Sequence, residues 1–239
     1  MTGSITIDST DDTDGGRFTA YRADPAGTPR GAIVVIQEIF GINAGIRRQC
    51  DLFAEAGYLA IAPDLFWRFA AGVELDPDVK PEFERALELM GQLDQDAAVR
   101  DLEATIHAAR GLLAESGATD GKVGAVGFCL GGRLAFMVAA RTDVDASVGY
   151  YGVGIDGLLG EKHGIARPLM LHIPVEDHFV DHDAQARIHA GLDDHPKVTL
   201  HDYPGEDHGF ATAFGSRRSE ESATLAEGRT AAFFAAHLG

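Results

Sequence analysis

The chain has 239 residues, of which 45% are hydrophobic, and its formal net charge is −17 at pH 7. This length suits an α/β domain with a substantial core, so residues 1–239 are predicted to form a single domain. The acidic charge argues against nucleic acid and anionic membranes as partners. No run is long and apolar enough to span a bilayer, and the polar start lacks a secretory leader. Two cysteines give no disulfide framework, so the expected location is the cytoplasm.

The first thirty residues are expected to form a frayed terminus and an edge element. Residues 11–16 have the composition of a turn, and Arg17–Arg22 alternates as a strand does. Residues 32–36 and 58–62 are continuous apolar runs, which are typical of strands buried on both faces of a parallel sheet. A helix from about Ala44 to Ala56 is predicted between them.

Residues 65–95 are the least regular part of the chain and are expected to form a cap or substrate wall, with a helix from about Pro81. A longer helix is predicted from about Asp94 to Glu115, because its apolar residues recur at helical spacing. The remaining segments are predicted as strand 123–128, helix 130–141, strands 146–152 and 168–173, helix 183–194, strand 197–203 and helix 219–237. This alternation predicts an α/β fold, with a mostly parallel, doubly wound sheet and helices on both faces.

A cysteine framed by glycines joins the strand at 123–128 to the helix that follows. Gly127 and Gly131, two positions before and after Cys129, remove Cβ atoms that would clash at a sharp turn. Leu130 begins the helix, so its N–H and the positive helix end face the sulfur, which favours a thiolate. The motif therefore predicts that Cys129 is a nucleophile. The alternative is a tight turn around a buried structural cysteine.

Asp177 and His208 each follow a later strand. Open parallel sheets place their sites at the carboxyl ends of the strands, so these side chains are expected to meet Cys129 there. The order along the chain suits a nucleophile, an acid and a base. His208 would take the thiol proton and give it to the leaving alkoxide, while Asp177 orients His208 and Cys129 attacks the acyl carbon.

Four segments, in this order, resemble the dienelactone hydrolase family: Glu38–Gly41, Gly127–Gly132, Asp177–Phe179 and His208–Phe210. The resemblance extends from about residue 17 to residue 239. It implies an α/β-hydrolase fold, a Cys-His-Asp triad, and hydrolysis of an ester or enol-lactone without metal or organic cofactor. Family members act on carboxymethylenebutenolide (dienelactone) in the breakdown of chlorinated aromatics, and many relatives have other ester substrates.

Glu38 has two interpretations. A carboxylate directly after a buried strand could cap the following helix. Alternatively, Glu38 belongs to the loop in which the N–H of Ile39 joins the N–H of Leu130 in an oxyanion hole. The resemblance implies that Glu38 lies beside Cys129, hydrogen-bonds the thiol and competes with His208 for its proton. Such a carboxylate would bias the resting enzyme toward the neutral thiol.

The positions expected to bind a substrate carboxylate depart from the family pattern. Thr212 stands where the family has an arginine after the histidine, and Gly209 stands where it has a serine. Arg85 is the nearest counterpart of the family's other carboxylate-binding arginine. Arg217 or Arg218 could substitute from the following loop, although surface arginines are common.

Three aromatic residues, Phe40, Trp67 and Tyr151, are expected to be apolar walls of the substrate pocket or plain core residues. Cys50 lies within a predicted helix beside apolar residues, and is expected to be an inert core thiol.

The sequence also offers alternatives to a metal-free hydrolase. A metal site could be built from Asp177, His178, Asp181 and His182, but this segment is predicted as a loop and Asp177 already has a role, so none is expected. Neither a dinucleotide nor a P-loop signature is present. Cys129 could instead serve a thioesterase or acyltransferase, or a ligand-binding or redox-sensing protein. The expected partner is a small ester or lactone, and the expected assembly a monomer or weak homo-oligomer.

Overall fold

The computed structural model describes residues 2–10, 16–118 and 121–239 of the chain. Its strands are β1 Thr2–Asp8, β2 Arg17–Ala23, β3 Ala32–Ile36, β4 Leu59–Pro63, β5 Val123–Phe128, β6 Ala146–Tyr150, β7 Leu169–Pro174 and β8 Val198–Tyr203. They form one eight-stranded sheet in the order β1-β2-β4-β3-β5-β6-β7-β8. From β4 to β8 every neighbouring pair is parallel, whereas β1 and β2 are antiparallel to their neighbours. The predicted mostly parallel sheet is confirmed.

Helices separate the parallel strands. Their bounds are α1 Ala44–Glu55, α2 Trp67–Ala70, α3 Lys80–Met90, α4 Gln95–Ser116, α5 Leu130–Arg141, α6 His182–Leu192 and α7 Glu220–Leu238, with a 3₁₀ helix at Ile155–Gly164. Local sequence fixes several ends. The side chains of Asn43, Asp94 and Asp181 accept hydrogen bonds from N–H groups in the first turns of α1, α4 and α6. Gly117 ends α4 in the left-handed conformation that glycine adopts readily.

The sheet is covered on both faces, which explains why its central strands are apolar throughout. In β3, Val34 and Ile36 point into a core cluster that contains residues of α4 and α5. Ile33 and Val35 point into a second cluster that contains residues of α1 and α7. Because both faces are buried, the strand shows a continuous apolar run rather than alternation.

The amino-terminal region differs from expectation. The predicted frayed terminus is wrong, because residues 2–8 form β1 and pair along their whole length with β2. Ile7, opposite Phe18, is the only residue of β1 whose side chain is buried. A strand so exposed has little apolar pattern in its sequence. The predicted turn lies mostly outside the described residues, which resume at Gly16.

The register of the parallel strands brings the loops after β3, β5, β6, β7 and β8 to one edge of the sheet. Ile36 at the end of β3 pairs with Gly127 near the end of β5, and Phe128 pairs with Tyr150 of β6. At the other end of this series, Pro174 of β7 pairs with Tyr203 of β8. The loops that begin after these residues therefore meet above the carboxyl ends of the strands.

No helix in the described ranges has the length and apolar character needed to cross a membrane.

Candidate active site

Cys129 occupies the sharp turn between β5 and α5. Its φ of 55° and ψ of −114° lie outside the helical and extended regions, and such backbone conformations cost on the order of 1–3 kcal/mol. Two main-chain hydrogen bonds hold the turn: the N–H of Cys129 donates to the carbonyl of Tyr150 at 3.0 Å, and the N–H of Arg133 donates to the carbonyl of Cys129 at 3.1 Å. The strained residue is therefore fixed from both sides.

The glycines around Cys129 permit a close crossing of main chains. A Cβ atom on Gly127 would overlap the carbonyl group of Gly131. A Cβ atom on Gly131 would in turn overlap the carbonyl oxygen of Ile36 in β3. The first turn of α5 consequently lies directly against the strands, with the cysteine at its N-terminus.

A buried Asp177–His208 pair lies in the neighbouring loops. Nδ1 of His208 is 2.9 Å from Oδ2 and 3.1 Å from Oδ1 of Asp177, and both side chains are only 1% exposed. The N–H of Phe179 donates to Oδ1 of Asp177 at 2.9 Å and fixes that carboxylate further. The bond at Nδ1 leaves Nε2 as the ring nitrogen available for chemistry.

The charge of His208 follows from this setting. Burial lowers the pKa of His208, but the hydrogen bond to Asp177 and the interaction with Cys129 outweigh it and raise the pKa to about 10. Nε2 is buried and makes no well-formed hydrogen bond with any residue in the described ranges. At neutral pH this histidine therefore keeps its proton while it interacts with Cys129.

Both loops are anchored to the fold. The side-chain amide of Gln185 in α6 donates to the carbonyls of Val175 and Val180, which flank Asp177. In the other loop, Oδ1 of Asp207 accepts the N–H of His208 at 2.6 Å. These contacts hold the two side chains in the loops that follow β7 and β8, at the same carboxyl end of this parallel pair.

Glu38 follows β3 and is 7% exposed. Burial raises the pKa of its carboxyl, and the positive charges of Arg217 and His208 oppose that rise. Oε1 of Glu38 receives no hydrogen bond from the described parts of the chain. The preceding residue holds the loop: the side-chain amide of Gln37 donates to the carbonyl of Glu38, and its oxygen accepts the N–H of Leu65. The backbone of Glu38 is thus held in place, while one oxygen of its side-chain carboxyl has no partner among the described residues.

One cavity of about 230 Å³ contains most of the predicted site. Its lining includes the sequence-predicted residues Glu38, Ile39, Phe40, Cys129, Leu130 and His208. The remaining lining residues are Phe83, Leu87, Met90, Gln95, Arg133, Val153, Phe179 and Arg217. The cavity therefore combines one reactive end with a largely apolar wall.

A second cavity, of about 340 Å³, lies on the other side of Glu38. It is lined in part by Glu38, Tyr151 and Thr212. All three are buried, and each has a side-chain oxygen without a hydrogen-bond partner among the described residues. Burial, followed by the charge of Glu38, raises the pKa of Tyr151 well above its usual value, so its hydroxyl stays neutral. The Tyr151 ring also packs edge-on against His208, with centroids 5.0 Å apart.

The structure does not bring Trp67 and Arg85 to either cavity. Trp67 stacks on Phe18, and its Nε1 donates to Asp101 at 2.8 Å. Arg85 is exposed on α3 and pairs with Glu88 at 2.8 Å. Trp67, the first residue of α2, therefore packs on β2, a long-range contact that local sequence did not reveal.

Of the arginines considered for a substrate carboxylate, Arg217 is the one that lines the reactive cavity. Its guanidinium lies over the ring of Phe40, with Cζ 5.8 Å from the centroid. Nη2 of Arg217 is buried and has no hydrogen-bond partner in the described ranges. Arg218, the other candidate in this loop, is instead paired with Glu220 and Glu227. Both arginines are candidates from the sequence, and only the folded loop shows that Arg217 lines the cavity while Arg218 is paired elsewhere.

The four residues considered for a metal do not form one group. Asp181 accepts the N–H of Ala184 as the cap of α6. Ligand atoms of Asp177, His178 and Asp207 do lie within 4.8 Å of one another. Both oxygens of that Asp177 carboxylate are, however, already engaged with His208.

Sequence and structural comparisons agree with this architecture. Residues 18–238 match the model of the dienelactone hydrolase family. A protein of Azospirillum brasilense is 48% identical over 227 residues, which cover 95% of this chain and 96% of the relative. A carboxymethylenebutenolidase of Pseudomonas putida is 40% identical over 235 residues, which cover 98% of this chain and 97% of the relative.

A solved structure supports the same fold. The crystal structure of a Klebsiella pneumoniae protein, assigned as a dienelactone hydrolase, aligns with a TM-score of 0.81 and 28% identity, and covers 98% of each chain. The expected α/β-hydrolase fold is confirmed, as is the expected enzyme class, a carboxymethylenebutenolidase-like ester hydrolase. The chain belongs to the dienelactone hydrolase family.

Proposed function

We propose that the protein hydrolyses an ester or enol-lactone of the dienelactone type through a Cys129–His208–Asp177 triad. The observation that carries the proposal is the buried Asp177–His208 pair, whose bonds of 2.9 and 3.1 Å at Nδ1 leave Nε2 to act on Cys129. His208 and Cys129 line the same cavity. This arrangement joins an oriented base to a cysteine at a strained turn, which is the requirement for nucleophilic acyl transfer.

Acylation begins with attack of the Cys129 sulfur on the acyl carbon while His208 holds the thiol proton. A C–S bond forms, and the carbonyl oxygen becomes an oxyanion that accepts hydrogen bonds from the N–H groups of Leu130 and Ile39. Collapse of this intermediate breaks the C–O bond, and His208 gives its proton to the leaving alkoxide. In a lactone, the leaving oxygen stays attached to the acyl group.

Deacylation reverses the roles of these groups. His208, now neutral, removes a proton from water as the water oxygen attacks the thioester carbon. The C–S bond then breaks, which releases the carboxylic acid and leaves a Cys129 thiolate beside the protonated His208. Asp177 stabilises His208 whenever the ring is positively charged.

Glu38 is proposed to modulate the proton that Cys129 and His208 share. Its carboxyl lines the reactive cavity, and burial raises its pKa. A negative charge on Glu38 disfavours a thiolate nearby, so the carboxyl biases the resting site toward the neutral thiol. Substrate that shields the two groups from each other would remove this bias.

Arg217 is the proposed partner of a substrate carboxylate in place of the absent arginine at Thr212. The unpaired Nη2 of Arg217 supports this assignment, as does its position in the lining of the reactive cavity. Thr212 lines the neighbouring cavity instead. Arg85, which pairs with Glu88, has no such support.

A paired substrate screen tests the proposal. Cis- and trans-dienelactone and short aryl esters are offered to the wild type, to Cys129→Ala and, as a control, to Cys50→Ala. Burial raises the pKa of Cys50, so this thiol stays neutral and unreactive at neutral pH. Its replacement is therefore expected to leave turnover intact. Hydrolysis that vanishes only in Cys129→Ala supports the proposal. Equal hydrolysis in Cys129→Ala and the wild type would refute it.

The choice of substrate within that screen tests Arg217. Dienelactone turnover that falls at least tenfold in Arg217→Met, with aryl ester turnover retained, assigns the carboxylate to this arginine. Turnover of aryl esters alone in the wild type would mean that the triad is active but that the pocket accepts esters other than dienelactone. Transfer of the acyl group to added alcohols would indicate an acyltransferase.

A further inference from the structure

We propose that one face of α3, beside Cys129, binds a ring-sized apolar group of the substrate, in addition to the reacting ester or lactone. The inference rests on the proposed hydrolysis at Cys129 and names the substrate class more closely. Phe83, Leu87 and Met90 recur at i, i+4 and i+7, so they share one face of the helix. All three line the cavity that contains Cys129.

Leu87 and Met90 are not needed to attach α3 to the protein. The adjacent face carries Ala86 and Leu89, which are buried in the core, and Phe83 packs against the same core. Leu87 and Met90 are 41% and 38% exposed, although both are large and apolar. Apolar side chains that are not required for packing yet gather at a cavity indicate a binding surface.

The opposing wall has the same character. Phe179 is 45% exposed, and its ring lies 4.8 Å from that of His208 in an edge-on contact. Three of the six large apolar side chains that are exposed in the described ranges therefore line this one cavity. Phe83 continues the wall inward, because its ring lies 5.7 Å from that of Phe40, next to the proposed oxyanion donor Ile39.

The polar groups along this wall are already engaged with each other. Nε of Arg133 donates to Gln95 at 2.8 Å, and Nη1 donates to the carbonyl of Gly154 at 2.9 Å. Arg133 is thereby held by neutral partners, and the α3 face presents only apolar side chains, which suit an uncharged group. The other cation of the cavity, Arg217, lies over Phe40, and its Nη2 has no hydrogen-bond partner among the described residues.

The size of the cavity sets the size of the group. An apolar protein cavity of about 150 Å³ holds a benzene molecule. The volume here is about 230 Å³ and also includes the space next to Cys129 and His208. The cavity therefore accommodates one aromatic or cycloalkyl ring together with the ester that reacts. The predicted substrate class is an ester or lactone that carries such a ring.

Two series of esters test the inference in the full-length protein. One series varies the acyl group from acetate to benzoate with a constant leaving group, and the other varies the alcohol with a constant acetyl group. Leu87→Ser and Met90→Gln are compared with Leu225→Ser, which replaces an exposed leucine on α7. We expect the ring-bearing substrate to be preferred by the wild type in one of the two series. That preference in kcat/KM should fall about tenfold in the α3 variants and stay unchanged in Leu225→Ser.

Alkylation of Cys129 separates this inference from the hydrolysis itself. The rates with 2-iodo-N-phenylacetamide and iodoacetamide are compared, each relative to its rate with glutathione. A preference for the phenyl reagent that Leu87→Ser removes supports the apolar surface, even if no ester is hydrolysed. Hydrolysis with the same ring preference in all variants, or alkylation without any ring preference, would overturn it.

Discussion

Gly127 and Gly131 approach so closely that a Cβ atom on the first would overlap the carbonyl group of the second. The contact joins the end of β5 to the first turn of α5, and Cys129 is held between them with a φ of 55°. Because the overlap involves main-chain atoms, no side-chain rotation can relieve it. The nucleophile is therefore positioned by the crossing of two backbone segments.

Gly127→Ala is predicted to destabilise the protein and to lower turnover. Overpacking at such a contact costs roughly 1–3 kcal/mol in the free energy of unfolding, and the displaced turn would misplace Cys129. Chemical denaturation and kcat/KM measure the two effects. The matched control is Gly111→Ala in α4, where a Cβ atom would meet nothing within 4 Å. There the change should stabilise the helix by up to about 1 kcal/mol. Equal effects in the two variants would contradict the steric account.

Asp177→Asn is predicted to lower kcat by roughly 10³- to 10⁴-fold with a smaller change in KM. The amide cannot support a positively charged His208 and favours the wrong tautomer of the ring. Steady-state kinetics on the best ester from the screen provide the measurement. Asp181→Asn, in the cap of α6 a few residues later, is the control and should keep most of the activity. A kcat within tenfold of the wild type in Asp177→Asn would argue against the role of Asp177.

The pKa of His208 predicts how stability depends on pH. The value is raised from 6.5 to about 10, so the folded state keeps a proton that the unfolded chain releases. The stabilisation is complete below about pH 6.5 and is lost as the pH rises toward 10. The free energy of unfolding of the wild type should therefore fall more steeply over this range than that of His208→Gln. Parallel profiles in chemical denaturation from pH 6 to pH 10 would show that His208 is not the group responsible.

Glu38→Gln is predicted to increase the reactivity of Cys129 at neutral pH. Removal of a nearby negative charge favours the thiolate by a factor of up to about ten, which is 1.4 kcal/mol of charge interaction. The rate of alkylation by iodoacetamide, followed from pH 5 to pH 9, measures this change. Glu221→Gln, on the exposed start of α7, serves as the control. An identical profile for Glu38→Gln and the wild type would show that Glu38 does not affect the ionisation of Cys129.

The strands and the turn at Cys129 could be predicted because their signals are local. A continuous apolar run marks β3, and two glycines around a cysteine mark the turn between β5 and α5. Asp177 and His208 could be named because each follows a strand that ends at the same edge of the sheet. The 3₁₀ helix at Ile155–Gly164 was missed, because its glycine-rich sequence has no helical apolar pattern.

Positions that depend on long-range packing could not be predicted. Trp67 was expected to be a wall of the substrate pocket or a core residue, and it packs against the core on Phe18 of β2, about fifty residues earlier in the chain. Arg217 could not be separated from Arg218, because only the folded loop pairs one of them with Glu220 and Glu227. The α3 segment was expected to be a wall, yet its sequence alone did not show which face would meet Cys129.

Direct detection of an acyl-cysteine tests the central claim. A slowly hydrolysed aryl ester is mixed with the wild type, the reaction is quenched in acid, and the digested protein is examined by mass spectrometry. The account predicts an acyl group on the peptide that contains Cys129, and its absence in Cys129→Ala together with the loss of turnover. Turnover that continues in Cys129→Ala, or an acyl group on another residue during productive turnover, would contradict it.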